Sequence, residues 1–257
     1  MLKNWNGQRF SALHLLFACA LCALLAAAVM RYRAKSEPLQ YARHPESQAL
    51  LEKYGPKKNS YSEEEWCIRD FFGDRRDGFF VDVGANDYKV TSNTYYLDTV
   101  LNWRGIAIEP QKQFEADYIK YRPRTKFVSF FVSDASNQLA KMYLVSKSSL
   151  IASGNRSFAE QVGEKAKEVE VPTITLNDLL DSESVKKIDF LSIDIELWEP
   201  KALAGFDVER FRPELVCIEA HPQVRQQILD YFAHHHYTVV GKYLRADVNN
   251  IYFTPLP

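Results

Sequence analysis

Gly78-Phe79-Phe80-Val81-Asp82-Val83-Gly84-Ala85-Asn86 decides how this chain reads. It is a short, continuous apolar run that stops at a glycine, the mark of a strand buried on both faces. Four more such runs follow: Gly105-Ile106-Ala107-Ile108-Glu109, Phe127 to Val132, Ile188 to Asp194 and Leu215 to Glu219. Helical patterns fall between them, as at Gln111 to Tyr121 and Pro200 to Ala204. Short apolar strands alternating with helices predict an α/β fold with a mostly parallel sheet and helices on both faces. Tyr237 to Leu244 and Asn250 to Thr254 close that sheet as an antiparallel pair at one edge. Met142 to Val145 and Val169 to Thr173 read as an extra strand pair. The polar stretch from Ser148 to Lys167 between them reads as a loop.

Upstream the pattern changes. Phe10 to Met30 carries no formal charge, and about 21 residues of helix span roughly 30 Å, the thickness of a bilayer core. Lys3 and Arg9 precede the run, whereas Arg31, Arg33 and Lys35 follow it at once. The positive-inside rule then predicts a retained single-pass anchor with the rest of the chain cytoplasmic. A cleaved signal peptide with a site near Ala26-Ala27-Ala28 is the alternative. The expected organisation is a tail over 1–9, a transmembrane anchor over 10–30, a polar tether over 31–60 and a globular domain over 61–257. One short helix, Ser47 to Tyr54, falls in the tether. Ser62-Glu63-Glu64-Glu65 opens the domain as a helix N-terminus, with Ser62 as cap and the acids on the dipole.

Composition narrows the function. The chain is 46% hydrophobic and 25% charged, which is globular, and Lys+Arg 32 against Asp+Glu 33 leaves a charge of -1. Such a balance supplies no global positive field for nucleic acid, and no nucleic-acid partner is expected. Lys120, Arg122, Arg124 and Lys126 read as a solvated basic face. Four cysteines exclude a disulfide scaffold, and Cys217 with His221 offers too few ligands for structural zinc. His234-His235-His236 diverge around a helix and read as a C-terminal dipole partner, so no metal site is expected.

The acids are more informative. Asp82, Glu109 and Asp194 stand at or near the ends of their runs, and Glu219 ends the last one, with His221 close behind. In an open parallel sheet those ends share one edge, where ligands bind at the topological switch point. Gly84 lets backbone approach a ligand, and Asn86 and Asp87 can cap a following helix. G-x-G-x-x-G is absent, which disfavours a pyrophosphate and hence a nicotinamide-dependent oxidoreductase. An adenosine with a short zwitterionic tail fits better. Glu109, one strand on from Gly84, is placed to accept from ribose hydroxyls.

Phe80 to Asn86 and Trp103-Arg104-Gly105-Ile106-Ala107-Ile108-Glu109-Pro110 resemble the first two cofactor motifs of the FkbM-type methyltransferases. The resemblance continues through Val132-Ser133-Asp134, Val171 to Leu180, Ile188 to Glu196 and Ile218-Glu219-Ala220-His221, over residues 76 to 225 in the family's order. It implies a Rossmann-like class I methyltransferase with a seven-stranded sheet, S-adenosylmethionine as donor and O-methylation of a hydroxyl. By position, Asp82, Gly84 and Asn86 line the methionine end, Glu109 holds the ribose, and Ser133 and Asp134 sit by the adenine. Asp194, Glu196 and His221 then face the acceptor. A base near neutral pKa is wanted for the hydroxyl proton, and His221 ranks first, Asp194 second.

Two positions depart from the family pattern. Tyr88 and Leu197 stand where the family usually has glycine. A large side chain there either shapes the site or fills it, so a tethered binding module without turnover is the rival reading. The function expected is that of a membrane-anchored O-methyltransferase acting on a glycan, lipid-linked or other small-molecule acceptor.

Overall fold

The computed structural model describes residues 44–145, 148–160 and 165–257. The apolar run over 10–30 lies outside the described residues. Among those that are described, no helix is long and apolar enough to cross a membrane. The compact unit starts at His44. The helix Pro45–Tyr54, in the stretch read as tether, buries Leu50 in the same apolar cluster as Trp66 and Ile68 of the helix Glu64–Phe72.

The strands run in chain order as β1 (Phe79–Val83), β2 (Arg104–Ile108), β3 (Thr125–Val128), β4 (Phe131–Val132), β5 (Leu139–Val145) and β6 (Ser148–Ser153). They continue as β7 (Lys167–Ile174), β8 (Phe190–Ile193), β9 (Leu215–Glu219), β10 (Tyr237–Val239) and β11 (Asn250–Pro255). Seven of them form one sheet in the order β10-β11-β9-β8-β1-β2-β3. Neighbours from β9 to β3 are parallel, and β11 alone runs against them, so the sheet is mixed.

Period-two alternation sends the strand residues to two cores. Val81, Ile106, Leu191 and Val216 pack on Leu179, Leu203, Ile228 and Phe232. Phe80, Phe190, Leu215 and Cys217 pack on Trp66, Ile68, Leu97 and Trp103 on the other face.

Several expectations need correction. The run Phe127 to Val132 is not one strand. The chain turns at Ser129, whose hydroxyl donates to Pro110 O at 3.1 Å, and β4 leaves for a second sheet, order β4-β7-β5-β6. Phe131 is buried there with Met142 and Val171, while Val132 stays with the main core, so adjacent residues serve two cores. The extra pair is real, with Met142 opposite Val169. The supposed loop between its members contains β6 and a short helix, Arg156–Ala159.

β10 is shorter than read: after Val239 a 3₁₀ turn over Gly241–Tyr243 buries Tyr243. Ser62 does not cap its helix. Ser60 Oγ accepts the Glu65 N–H at 3.1 Å instead, and Ser62 Oγ accepts from Asn249. Arg122 is not on a solvated face. It is fully buried, with Nε 3.0 Å from Asp98 Oδ2 and Nη2 donating to Thr94 O and Oγ1, both at 3.0 Å.

Candidate active site

β1 is flanked by β2 on one side and β8 on the other, so the strand order reverses between β1 and β8. A crevice at the carboxyl ends opens at such a point. Gly84 makes this one. Its φ is +83°, and a Cβ there would stand 1.8 Å from Asp194 O, so only glycine lets the ends of β1 and β8 meet. The Gly84 and Ala85 N–H groups both donate to Ile108 O, which ties the turn to β2. Asn86 follows at φ +46°. The helix expected next does not start there, because Asp87 Oδ1 accepts the Lys89 and Val90 N–H groups and closes a turn. The helix begins only at Tyr95.

Glu109, one residue past β2, is 4% exposed. Its carboxylate accepts from Gln111 N–H at 2.9 Å and Asn86 N–H at 3.2 Å. Burial pushes its pKa up to about 7, against the pull of those amides. Glu109 lines a narrow crevice of about 40 Å³ with Ile108, Phe130 and Val132, and Met142 and Ala152 of the second sheet close its far side. Gly84, Asn86, Asp194 and Glu196 line both this crevice and a larger cavity of about 360 Å³. Among the described residues no aliphatic side chain lines the larger cavity. Its other walls are Tyr61, Thr91, Asn93, Asn249 and Asn250 with the carboxylates of Glu64 and Glu219.

The acids gather as the parallel sheet requires. Asp194 follows β8, Glu219 ends β9, and Glu196 sits on the loop between, at φ +57°. Asp194 opens onto the cleft. Even so, the surrounding protein mass, with the charges of Asp82 and Asp247, pushes its pKa up to about 6. Burial, then Asp194 and Glu199, lift Glu196 to about 8. Burial and the charges of Asp194, Glu196 and Glu199 lift Glu219 to about 11. His221 Nε2 lies 3.1 Å from Glu219 Oε1 and 3.4 Å from Glu196 Oε2, and burial lowers its pKa. His221 lines neither cavity, whereas Asp194 lines both. The sequence offered no metal ligand set, yet the fold brings donor atoms of Glu196, Glu219 and His221 within 4.8 Å of one another.

Other sequence-derived site residues fall elsewhere. Asp82 points away from the cleft and is buried, its Oδ2 accepting the Thr94 hydroxyl at 2.7 Å. Ser133 donates to Asp134, and Asp134 pairs with Lys201 at 2.5 Å beside a separate hollow. Neither lines the crevice. Tyr88 stacks on Tyr121 with ring centroids 4.8 Å apart and lines neither cavity.

Leu197, at φ +73°, packs half-buried against the main core and lines the separate hollow. A left-handed leucine costs about 1–2 kcal/mol, close to what its partial burial returns. Leu197→Gly should change stability by less than about 1 kcal/mol, where truncating a buried leucine costs about 2–5 kcal/mol. Urea denaturation of the two proteins measures the difference.

Sequence reasoning missed Glu64, 5% exposed in the larger cavity's wall, whose Oε1 accepts from Asn250 at 3.1 Å. It also missed Glu199, fully buried, whose Oε1 accepts the Ile195 N–H and steadies the acid loop.

Residues 82–239 match the family model described as the methyltransferase FkbM domain. No curated protein matches the chain. Among solved structures, the chain is similar to a TehB-like SAM-dependent methyltransferase from Corynebacterium glutamicum. The identity is 11% over 81% of this chain and 94% of that one, with a TM-score of 0.42. It is similar to a precorrin-6y C5,15-methyltransferase from Geobacter metallireducens, 14% identical over 72% and 76%, TM-score 0.38. A third is a SAM-dependent methyltransferase from Geobacter sulfurreducens in complex with S-adenosyl-L-homocysteine, 12% identical over 80% and 79%, TM-score 0.34.

Proposed function

This chain belongs to the FkbM family of S-adenosylmethionine-dependent methyltransferases, and on that premise we propose that its cleft O-methylates a hydroxyl of a carbohydrate-like acceptor. One observation carries the reading. A buried carboxyl group suited to a ribose diol, Glu109, and a cavity lined by acidic and amide side chains meet across Gly84, Asn86, Asp194 and Glu196. The residues fit the donor's chemistry. Among the described residues no Lys or Arg pairs with Asp194, Glu196 or Glu219, so a cationic sulfonium and ammonium would find carboxyl groups free of a competing protein cation there. Bound, the donor supplies an electrophilic methyl on sulfur.

The chain supplies the rest. Glu109 would accept from the ribose, and the Gly84 turn would let main chain pass close to the ligand. Asparagine amides and the Thr91 and Tyr61 hydroxyls both donate and accept, which suits a polyol better than a lipid tail. Asp194 is placed to take the hydroxyl proton. His221, set back against Glu219 and Glu196, holds those two rather than the acceptor. The uncharged run over 10–30 and the bases after it support tethering of this domain to a membrane from its cytoplasmic side, where the donor is made.

Calorimetric titration of S-adenosylhomocysteine into the full-length chain tests the reading. Glu109→Ala should weaken binding about 10–100-fold, the worth of hydrogen bonds to a charged group. Wild-type affinity should also depend on pH. The ionised carboxylate is the form that binds, so affinity falls as pH drops below about 7, and binding near that pH releases a proton. A folded chain that binds neither S-adenosylhomocysteine nor S-adenosylmethionine overturns the proposal.

A further inference from the structure

Buried charges in proteins are paired or bind metals, because the cost of leaving them bare in a low-dielectric site is several kcal/mol or more. At the ends of β8 and β9 this rule lacks its usual resolution. Asp194, Glu196, Glu199 and Glu219 repel one another there, and among the described residues no Lys or Arg neutralises them. Glu199 is fully buried with Oε2 lacking a hydrogen-bond partner, and the buried Glu219 Oε2 atom lacks one too. The His221 imidazole is held in place by its edge-on contact with Phe158, ring centroids 5.1 Å apart.

The donor spacing matches a shared ion. Two ligands about 2.1 Å from one cation lie about 3.0 Å apart at a right angle and about 3.4 Å apart at a tetrahedral angle. His221 Nε2 stands 3.1 Å from Glu219 Oε1 and 3.4 Å from Glu196 Oε2, and all three donors fall within 4.8 Å. We propose that Glu196, Glu219 and His221 form a divalent-cation site beside the larger cavity. Two carboxylates with one imidazole favour a first-row ion of the Mn²⁺ type over Ca²⁺, which takes oxygen alone.

The ion's role rests on the methyltransferase reading, although the site itself does not. Glu196 and Glu219 both line the larger cavity, so an ion there would have open positions facing an acceptor. A hydroxyl ligated by it loses its proton more readily. The hydroxyl oxygen bonds to the methyl carbon as its proton passes to Asp194, and the carbon–sulfur bond breaks to leave a neutral thioether.

Mn²⁺ titration of the chelator-treated, full-length chain tests the site, with free Mn²⁺ followed by its electron paramagnetic resonance signal. One ion per chain is expected. Glu219→Gln and His221→Ala should each weaken uptake by more than the roughly 10–100-fold that loss of an outer-shell partner costs. Glu196→Gln should weaken it likewise, and Glu168→Gln, an exposed control, should not. Because Glu219→Gln keeps the shape of the side chain and thins a crowd of four carboxyl groups, the metal-free variant should melt no lower than wild type, so its lost uptake is not lost folding. A folded wild type that takes up no Mn²⁺ at millimolar concentrations, or uptake that survives all three substitutions, overturns the site. S-adenosylhomocysteine binding measured on the same samples keeps the two readings apart. Donor binding without Mn²⁺ uptake sinks the cation site alone, and uptake without donor binding sinks the methyltransferase role alone.

Discussion

Arg122→Met will remove about 3–5 kcal/mol of stability, the cost of leaving a buried charge without its partner. The guanidinium is fully buried, and every nitrogen is engaged. Nε faces Asp98, Nη2 meets Thr94 O and Oγ1, and Nη1 reaches Ser92 Oγ at 3.3 Å and Tyr88 O at 3.4 Å. Asp98 itself is 1% exposed and takes the Thr125 hydroxyl at 2.7 Å. Without Arg122 the cation left beside it among the described residues is Arg124, which is 43% exposed and therefore a weaker, screened partner. Thr94 also donates to Asp82, so the same substitution loosens the support beneath β1. Urea denaturation measures the loss. The double variant Arg122→Met with Asp98→Leu should recover part of it, since an apolar pair replaces a buried ionic one at little net cost. A loss below about 1 kcal/mol would show that water reaches the pair.

Gly84→Ala should abolish donor binding and cost about 3 kcal/mol of stability. Two terms add: a left-handed alanine at about 1–2 kcal/mol, and overpacking against a neighbouring strand at about 1–3 kcal/mol. The obstacle is a backbone carbonyl, Asp194 O at 1.8 Å, which cannot swing aside as a side chain would. Parting β1 from β8 moves Asp194 away from the Glu109 side of the crevice, so affinity falls with stability. Gly241→Ala is the matched control, because a Cβ there meets nothing within 4 Å. Calorimetry with S-adenosylhomocysteine and thermal melts of both variants decide the matter. A Gly84→Ala protein that binds like wild type would show that the strand ends are free to separate.

How much of this could be read from residues alone follows from the range of each interaction. Glu109, Asp194 and Glu219 were legible because parallel strands bring their ends to one edge whatever the details. Asp82 was misplaced because period two decides its direction, and the apolar run containing it is buried on both faces and shows no alternation. The sheet change at Ser129 was invisible for a related reason. Phe127 to Val132 is continuously apolar, although its halves serve different cores. Arg122 read as surface because its partner Asp98 lies 24 positions away. Glu64 was absorbed into a helix N-terminus, since nothing near it in sequence announces Asn250.

The two walls of the cleft differ in how much chain must be closed to build them. Asn86 and Glu109, on the crevice side, are 23 residues apart, whereas Glu64 and Asn250, on the cavity side, are 186 apart. Closing the longer loop costs about 2 kcal/mol more in chain entropy. In time, then, the site is assembled from one side. The wall that holds Glu109 forms early, from neighbours in sequence, and the wall across from it is among the last features to arrive and the first to open.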